Sequence, residues 1–239
     1  MAQVPHDRPQ GVADEAAELA RGLVAARGCY SSELGIDVTA GDDEVERWFL
    51  AATLFGNRIA AAVAMQTFRV LDHAGIRTVA DAGRATWDEL VQLLDAGGYA
   101  RYDFRTASRL QGLARALEDH YQGRVSELAR STGSSAEVEA ALDALPGWGP
   151  VTVRLFLREL RGVWPTADPP LDERARWAAV HLGLLADGER DEMAHLAALA
   201  ARAGSDPSTL ESALVHVALA HRARRRSCPG RNKCFVLTH

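Results

Sequence analysis

The stretch that decides the fold is Leu145-Pro-Gly-Trp-Gly-Pro-Val-Thr152. The residues before it, from Glu137 to Leu145, have helical periodicity, and Pro146-Gly147 ends that helix. A Gly-x-Gly turn follows, and Pro150 suits the first turn of a second helix. The two glycines permit a tight turn and a close approach to another surface, because no Cβ stands in the way. The sequence therefore predicts two helices joined by a hairpin over 137–160.

The beginning of the second helix offers a binding site for anions, because its first N–H groups have no helical partner. A Gly-x-Gly turn alone is weak evidence. The sequence LPGWGPVT between two amphipathic helices, however, is typical of a helix–hairpin–helix motif, whose usual anion is a DNA backbone phosphate. The hairpin residues expected to contact DNA are Leu145, Pro146, Gly147, Trp148, Gly149, Val151 and Thr152.

The rest of the chain also predicts helices. Apolar residues recur on one helical face over 12–23, 110–117 and 153–160. Three Ser/Thr-x-x-Glu patterns are typical of helix starts and begin at Thr86, Ser134 and Ser208. No segment sustains the period-two alternation that is typical of strands. We predict an all-α chain of about ten helices with short links.

The composition is that of a folded globular chain. Of the 239 residues, 47% are hydrophobic and 25% are charged, which excludes a disordered protein. No stretch approaches the roughly 20 apolar residues that a membrane helix needs, and no apolar signal core is seen at the start. Three cysteines are too few for a secreted disulfide framework. We expect a cytoplasmic monomer.

The charge is unevenly distributed along the chain. The net charge is −5, yet the stretch from His221 onward holds six basic residues and no acid, so residues 1–220 carry −11. A basic tail on an acidic body can dock onto a polyanion, although a solvated terminus is the simpler explanation. The tail residues expected to contact DNA are Arg224, Arg225 and Arg226.

These features resemble the helix–hairpin–helix DNA glycosylases typified by endonuclease III. Members of that family place a catalytic aspartate at the start of a basic helix that follows the hairpin. In WPTADPPLDERARW, Asp172 matches that position. Asp168 is the competing candidate, but Pro169-Pro170 prevents a helix from starting there, so we favour Asp172. Either carboxylate could instead be a simple helix cap.

The resemblance also implies a fold and further DNA contacts. FLAATLFGNRIAAAVAMQ and GGYARYDFRTASRL are similar to family segments whose loops push side chains into DNA, so Leu54, Tyr99 and Tyr102 are candidates for that role. The alternative is that they pack in the core, which is the more frequent role of aromatic residues at helical spacing. The implied fold has two lobes. Residues 43–161 would form a six-helix lobe carrying the hairpin. Residues 11–42 and 162–239 would form a second helical lobe with the basic tail, and Asp172 would face the cleft between the lobes.

One departure from the family concerns the reaction. Bifunctional members carry a lysine two residues after the second hairpin glycine, where this chain has Val151, and Lys233 is its only lysine. Arginine cannot replace the amine because it stays protonated. The resemblance therefore implies a monofunctional base-excision repair enzyme. Its substrate would be double-stranded DNA with a flipped damaged or mismatched base, and an aspartate would assist water attack at the sugar.

The other departure concerns cofactors. Many relatives hold a [4Fe–4S] cluster with four cysteines, whereas only Cys228 and Cys234 lie in the corresponding region. His221, Cys228, Cys234 and His239 are spaced more widely than the usual pairs of zinc ligands. We therefore expect no cofactor, neither the cluster nor zinc at Cys228 and Cys234. Two other functions stay open: a non-catalytic binder of bent or lesion-containing DNA, and a glycosylase with a lyase step through a non-lysine amine.

Overall fold

The computed structural model describes residues 10–56, 59–221 and 227–237, and within these ranges the chain is all-α, as predicted, with no strand. None of the described helices is both long and apolar enough to cross a lipid bilayer. The helices are α1 (Gln10–Ala26), α2 (Tyr30–Glu33), α3 (Asp42–Phe55), α4 (Ala61–His73), α5 (Val79–Arg84), α6 (Trp87–Ala96), α7 (Asp103–Tyr121), α8 (Val125–Arg130), α9 (Ser135–Asp143), α10 (Pro150–Glu159), α11 (Glu173–Leu182), α12 (Glu192–Ala203) and α13 (Pro207–His221).

The chain divides into two compact units. The hairpin unit is Ser31–Pro169, and the terminal unit combines Met1–Tyr30 with Pro170–His239. Residues 31–42 and 162–169 thus pack with the hairpin unit and not with the termini, which differs from the predicted boundaries. Hydrogen bonds explain this placement. The backbone N–H of Ser31 donates to the buried carboxylate of Glu159 at 2.9 Å, and Arg161 donates to the carbonyl of Pro169 at 2.9 Å.

The hairpin unit is built around α3. All residues of this helix from 45 to 54, except Arg47, are buried, because α4, α5, α8 and α10 surround it. Glu46 is the one buried acid of the helix, and it accepts hydrogen bonds from the N–H groups of Val125 and Ser126 at 3.2 and 3.1 Å. It therefore caps α8, although desolvation raises the pKa of its carboxyl.

The terminal unit packs α1, α11, α12 and α13 around a core rich in alanine and leucine. The predicted caps at Thr86 and Ser134 are confirmed, since each side chain accepts from the N–H three residues on. The predicted start of α13 at Ser208 is wrong. This helix begins at Pro207, and Asp206 caps it by accepting from the N–H of Thr209 at 2.9 Å. Pro207 suits the first position because its missing N–H would have no partner there.

Candidate functional site

The hairpin joins α9 to α10 through a turn over 144–149. The N–H of Trp148 donates to the carbonyl of Leu145 at 3.0 Å and closes the turn. Gly147 lies in the left-handed region with φ +78°, which glycine adopts at little cost. A Cβ at this position would come within 1.7 Å of Arg109 Nε. Gly147 is therefore required by the local fold of the turn and by the side chain that packs on it.

Gly147→Ala is expected to destabilise the protein. A left-handed alanine costs about 1–2 kcal/mol, and Arg109 must also move. For a chain of this size the cost corresponds to a melting temperature lower by roughly 2–8 °C, which thermal unfolding followed by circular dichroism would measure. An unchanged melting temperature would contradict the assignment of a left-handed backbone to Gly147.

Gly149 has a different role. Its backbone is extended, with φ −163°, a conformation open to any residue. A Cβ there would meet no protein atom within 4 Å. No side chain caps α10, whose first residue is Pro150. The fold itself therefore gives no reason for a glycine at this position, and the start of α10 is accessible to a ligand.

Three of the residues predicted to contact DNA have buried side chains, since Leu145, Trp148 and Thr152 are no more than 7% exposed. Trp148 stacks on Phe49 of α3 at 4.5 Å between ring centroids and donates from Nε1 to Thr53 Oγ1 at 3.2 Å. These side chains attach the hairpin to α3 and do not face solvent. Pro146, Gly147 and Val151 are exposed, and the Val151 side chain is 68% exposed.

The candidate DNA-inserting residues Leu54 and Tyr99 lie in the core of the hairpin unit. Both are fully buried, and the Tyr99 hydroxyl donates to the Leu54 carbonyl. Inserting either into DNA would break this core contact and leave a polar group without a partner. Phe104, at the start of α7, is instead 61% exposed and stacks on Trp87 at 5.4 Å. Phe104 is therefore open to a ligand, and Tyr102 is partly exposed.

Three arginines next to the hairpin were missed by the sequence analysis. Arg105 and Arg109 are four residues apart in α7, so they share one side of that helix, and Arg101 lies in the turn just before it. Arg101 and Arg105 are exposed, lie over the Tyr102 ring, and form no ion pair with any residue in the described ranges. Burial lowers the pKa of Arg109, and the charge of Arg105 lowers it further. We call these three residues the α7 arginine row.

Asp172 is the N-cap residue of α11. Its Oδ1 accepts from the N–H of Arg174 at 2.7 Å, and its own N–H donates to Glu211 Oε1 at 2.9 Å. Glu211 is only 1% exposed, so α13 fixes the position at which α11 begins. The pattern Ser208-Thr-Leu-Glu211 predicted that Glu211 belongs to a capping box. Glu211 is the only carboxylate in α13, which was the available signal that it had another role.

Asp168, the competing candidate, belongs to the hairpin unit. Its side chain is 79% exposed and forms an ion pair with Arg161 at 3.0 Å. The carbonyl of Asp168 accepts from Ser135 Oγ at 3.3 Å. The nearby guanidinium neutralises this carboxylate, and no helix starts at Asp168, which fits the effect expected of Pro169-Pro170. Of the two aspartates, Asp172 is the one that lies at the start of a helix, as the N-cap residue of α11.

A cluster of histidine and cysteine side chains lies in the terminal unit. The ligand atoms of His181, His221, Cys228 and Cys234 all lie within 4.8 Å of one another. Desolvation opposes ionisation of Cys228, but hydrogen bonds from the N–H groups of Phe235 and Gly230 and from both histidines lower its pKa to about 6. Burial raises the pKa of Cys234. Sequence spacing identified three of these residues but not His181.

The predicted contacts Arg224, Arg225 and Arg226, and His239, lie outside the described residues. The described part of the tail keeps Arg231 and Lys233 exposed.

The chain matches no model of a known protein family, and a search of curated proteins finds no similar chain.

Proposed function

We propose that this protein is a monofunctional DNA N-glycosylase of base-excision repair that removes a damaged or mismatched base from double-stranded DNA. The observation that carries the proposal is Gly149: an extended glycine beside the uncapped start of α10, whose missing side chain leaves open space. A backbone phosphate fits such a place, since it approaches N–H groups directly at a helix N-terminus.

The α7 arginine row supports DNA as the ligand. Arg109 packs on Gly147. Arg105 is close enough to Arg109 for its charge to lower the pKa of Arg109, so the positive side chains continue from the hairpin along α7. Other arginines of the hairpin unit are neutralised by carboxylates, among them Arg84, Arg124 and Arg130. Arg101 and Arg105 have no carboxylate partner among the described residues, and such cations gain more from a phosphate because no ion pair has to be broken.

The reaction needs a carboxylate but no amine. The C1′–N bond of the nucleotide breaks as a water oxygen bonds to C1′, and the base leaves with the bonding electrons. Asp172 would accept the proton of the water and stabilise the positive charge that develops on the sugar. Its Oδ1 is already held by the N–H of Arg174, so little reorganisation is needed. Val151 offers no nucleophile, which excludes a lyase step from that position.

Base release from a panel of lesion duplexes tests the proposal. Alkali treatment after incubation cleaves the strand wherever a base has been removed. We expect cleavage at one lesion class, and no covalent adduct with abasic DNA under borohydride. A protein that binds lesion duplexes but releases no base from the panel would be a binding protein, which the alternative predicts. A borohydride adduct would indicate a lyase with an amine nucleophile.

The salt dependence of DNA binding tests the α7 arginine row. Replacing Arg101 and Arg105 by glutamine should reduce the slope of log affinity against log salt by up to about 0.9 per arginine, because each phosphate contact releases counterions. Arg84→Gln with Arg130→Gln is the matched control, since these two are exposed but paired with acids. Equal slopes for the test variant and the wild type would exclude the row from the interface.

A further inference from the structure

We propose that His181, His221, Cys228 and Cys234 bind one zinc ion, which attaches the C-terminal segment 227–237 to α11 and α13. The site does not depend on the proposed glycosylase activity. All four residues belong to the terminal unit. Two thiols and two imidazoles form a donor set that structural zinc sites use.

The distances suit a single ion. With Zn–S near 2.3 Å and Zn–N near 2.0–2.1 Å, a tetrahedron places its nitrogen and sulfur ligands about 3.5 Å apart. Two nitrogen–sulfur distances are close to this value: His181 Nε2 lies 3.3 Å from Cys228 Sγ, and His221 Nε2 lies 3.2 Å from Cys234 Sγ. All four ligand atoms lie within 4.8 Å of each other. Only small side-chain shifts would bring them around one ion.

The histidine rings are already oriented for binding. His221 Nδ1–H donates a hydrogen bond to the carbonyl of Val217 at 2.7 Å, so Nε2 carries the lone pair and faces Cys234. A backbone partner on the second ring nitrogen is the usual support of a metal-bound histidine. The His181 ring stacks on Trp177 at 4.7 Å and meets the His221 ring edge-on at 4.8 Å. Packing therefore holds both rings in place.

The backbone around the cysteines is shaped for a close approach. Gly230 adopts φ +74°, and a Cβ there would lie 2.5 Å from the His181 carbonyl oxygen and 3.1 Å from its Nδ1. Only glycine lets the segment lie against His181 in this way. The N–H of Phe235 donates to Cys228 Sγ at 3.4 Å, which stabilises a thiolate.

Electrostatics at this point favours a cation. His181 lies in the last turn of α11, and His221 ends α13, so the carbonyl ends of two helices meet at the cluster. The helix dipole makes these ends negative. Cys234 and His221 are buried, whereas Cys228 and His181 are partly exposed, which leaves a path for an ion to enter.

The cluster does not fit the iron–sulfur group of the glycosylases that the chain resembles. A [4Fe–4S] cluster is held by four cysteine thiolates, and this chain contains three cysteines in all. The third, Cys29, contacts Ser212 Oγ at 3.6 Å and Thr209 Oγ1 at 3.8 Å. Two histidines complete the donor set instead, and this set suits one zinc ion.

Metal content tests the proposal directly. The full-length protein, purified without chelator, should contain one zinc ion per chain, and Cys228→Ser and Cys234→Ser should each lose it. Cys29→Ser is the matched control, because it removes a cysteine of the same unit that lies outside the cluster, and it should keep its zinc. A chelator should lower the melting temperature of the wild type, and added zinc should restore it.

Cobalt keeps the test decisive if the serine variants do not fold. Titration of Co²⁺ into the zinc-depleted wild type should produce the strong visible bands of a thiolate-bound tetrahedral ion, saturate at one equivalent and disappear when zinc is added. Folded protein that contains no zinc and shows no cobalt bands would overturn the proposal. Bound iron in place of zinc, or a disulfide between Cys228 and Cys234, would overturn it as well.

Discussion

Asp172→Asn is expected to stop base release while affinity for abasic-site DNA stays the same or improves. In the wild type, the N–H of Arg174 donates to Asp172 Oδ1 at 2.7 Å. Asparagine keeps an oxygen that can accept this hydrogen bond, and it caps helices about as well as aspartate. It loses the charge that would stabilise the sugar cation and the basicity that would accept a proton from water. General-base assistance alone is worth about 10²–10⁴-fold. Single-turnover excision on the best substrate measures the loss.

Two control variants separate catalysis from capping and from charge. Asp191→Asn changes the N-cap residue of α12, which accepts from the N–H of Ala194 at 3.1 Å, so it repeats the same local change in the same unit. Asp168→Asn removes the exposed carboxylate that pairs with Arg161. Both should retain most activity. An active Asp172→Asn with an inactive Asp168→Asn would assign the reaction to Asp168, and full activity of both would contradict an aspartate mechanism.

Gly149→Ala is expected to weaken binding to every DNA duplex, damaged or not. Its Cβ would fill the space through which a phosphate approaches the start of α10. Loss of one charge-assisted hydrogen bond costs about 1.5–3 kcal/mol, which is roughly a 10- to 150-fold loss of affinity. Fluorescence anisotropy with undamaged and abasic duplexes measures the change.

We expect Gly149→Ala to leave the stability of the folded protein unchanged. The backbone of Gly149 is extended, and a Cβ would contact no protein atom within 4 Å, so the melting temperature should match that of the wild type. Gly133→Ala is the control outside the hairpin, since its Cβ would meet only Glu137 Oε2 at 3.6 Å. Wild-type affinity of Gly149→Ala for both duplexes would exclude the hairpin as a phosphate site.

Much of the local structure could be predicted from the sequence. Helical periodicity predicted an all-α chain, Pro-Gly predicted the end of α9, and Pro150 predicted the start of α10. These features depend on residues within one or two turns of each other, and local backbone preferences decide them. The cap at Ser208 was wrong because a local pattern did not reveal that Glu211 bonds to a distant backbone N–H.

The sequence by itself determined which chemistry is possible. Position 151 is a valine and Lys233 is the only lysine, so no lysine amine is present at the hairpin. Three cysteines are too few for a four-cysteine cluster. Only the tertiary structure decided which side chains are exposed and which converge. It buries Leu54, Tyr99 and Trp148 in the core, exposes Arg101 and Arg105, and brings His181 to Cys228, 47 residues further along the chain. Burial and convergence depend on packing between distant segments, which no local pattern of residues encodes.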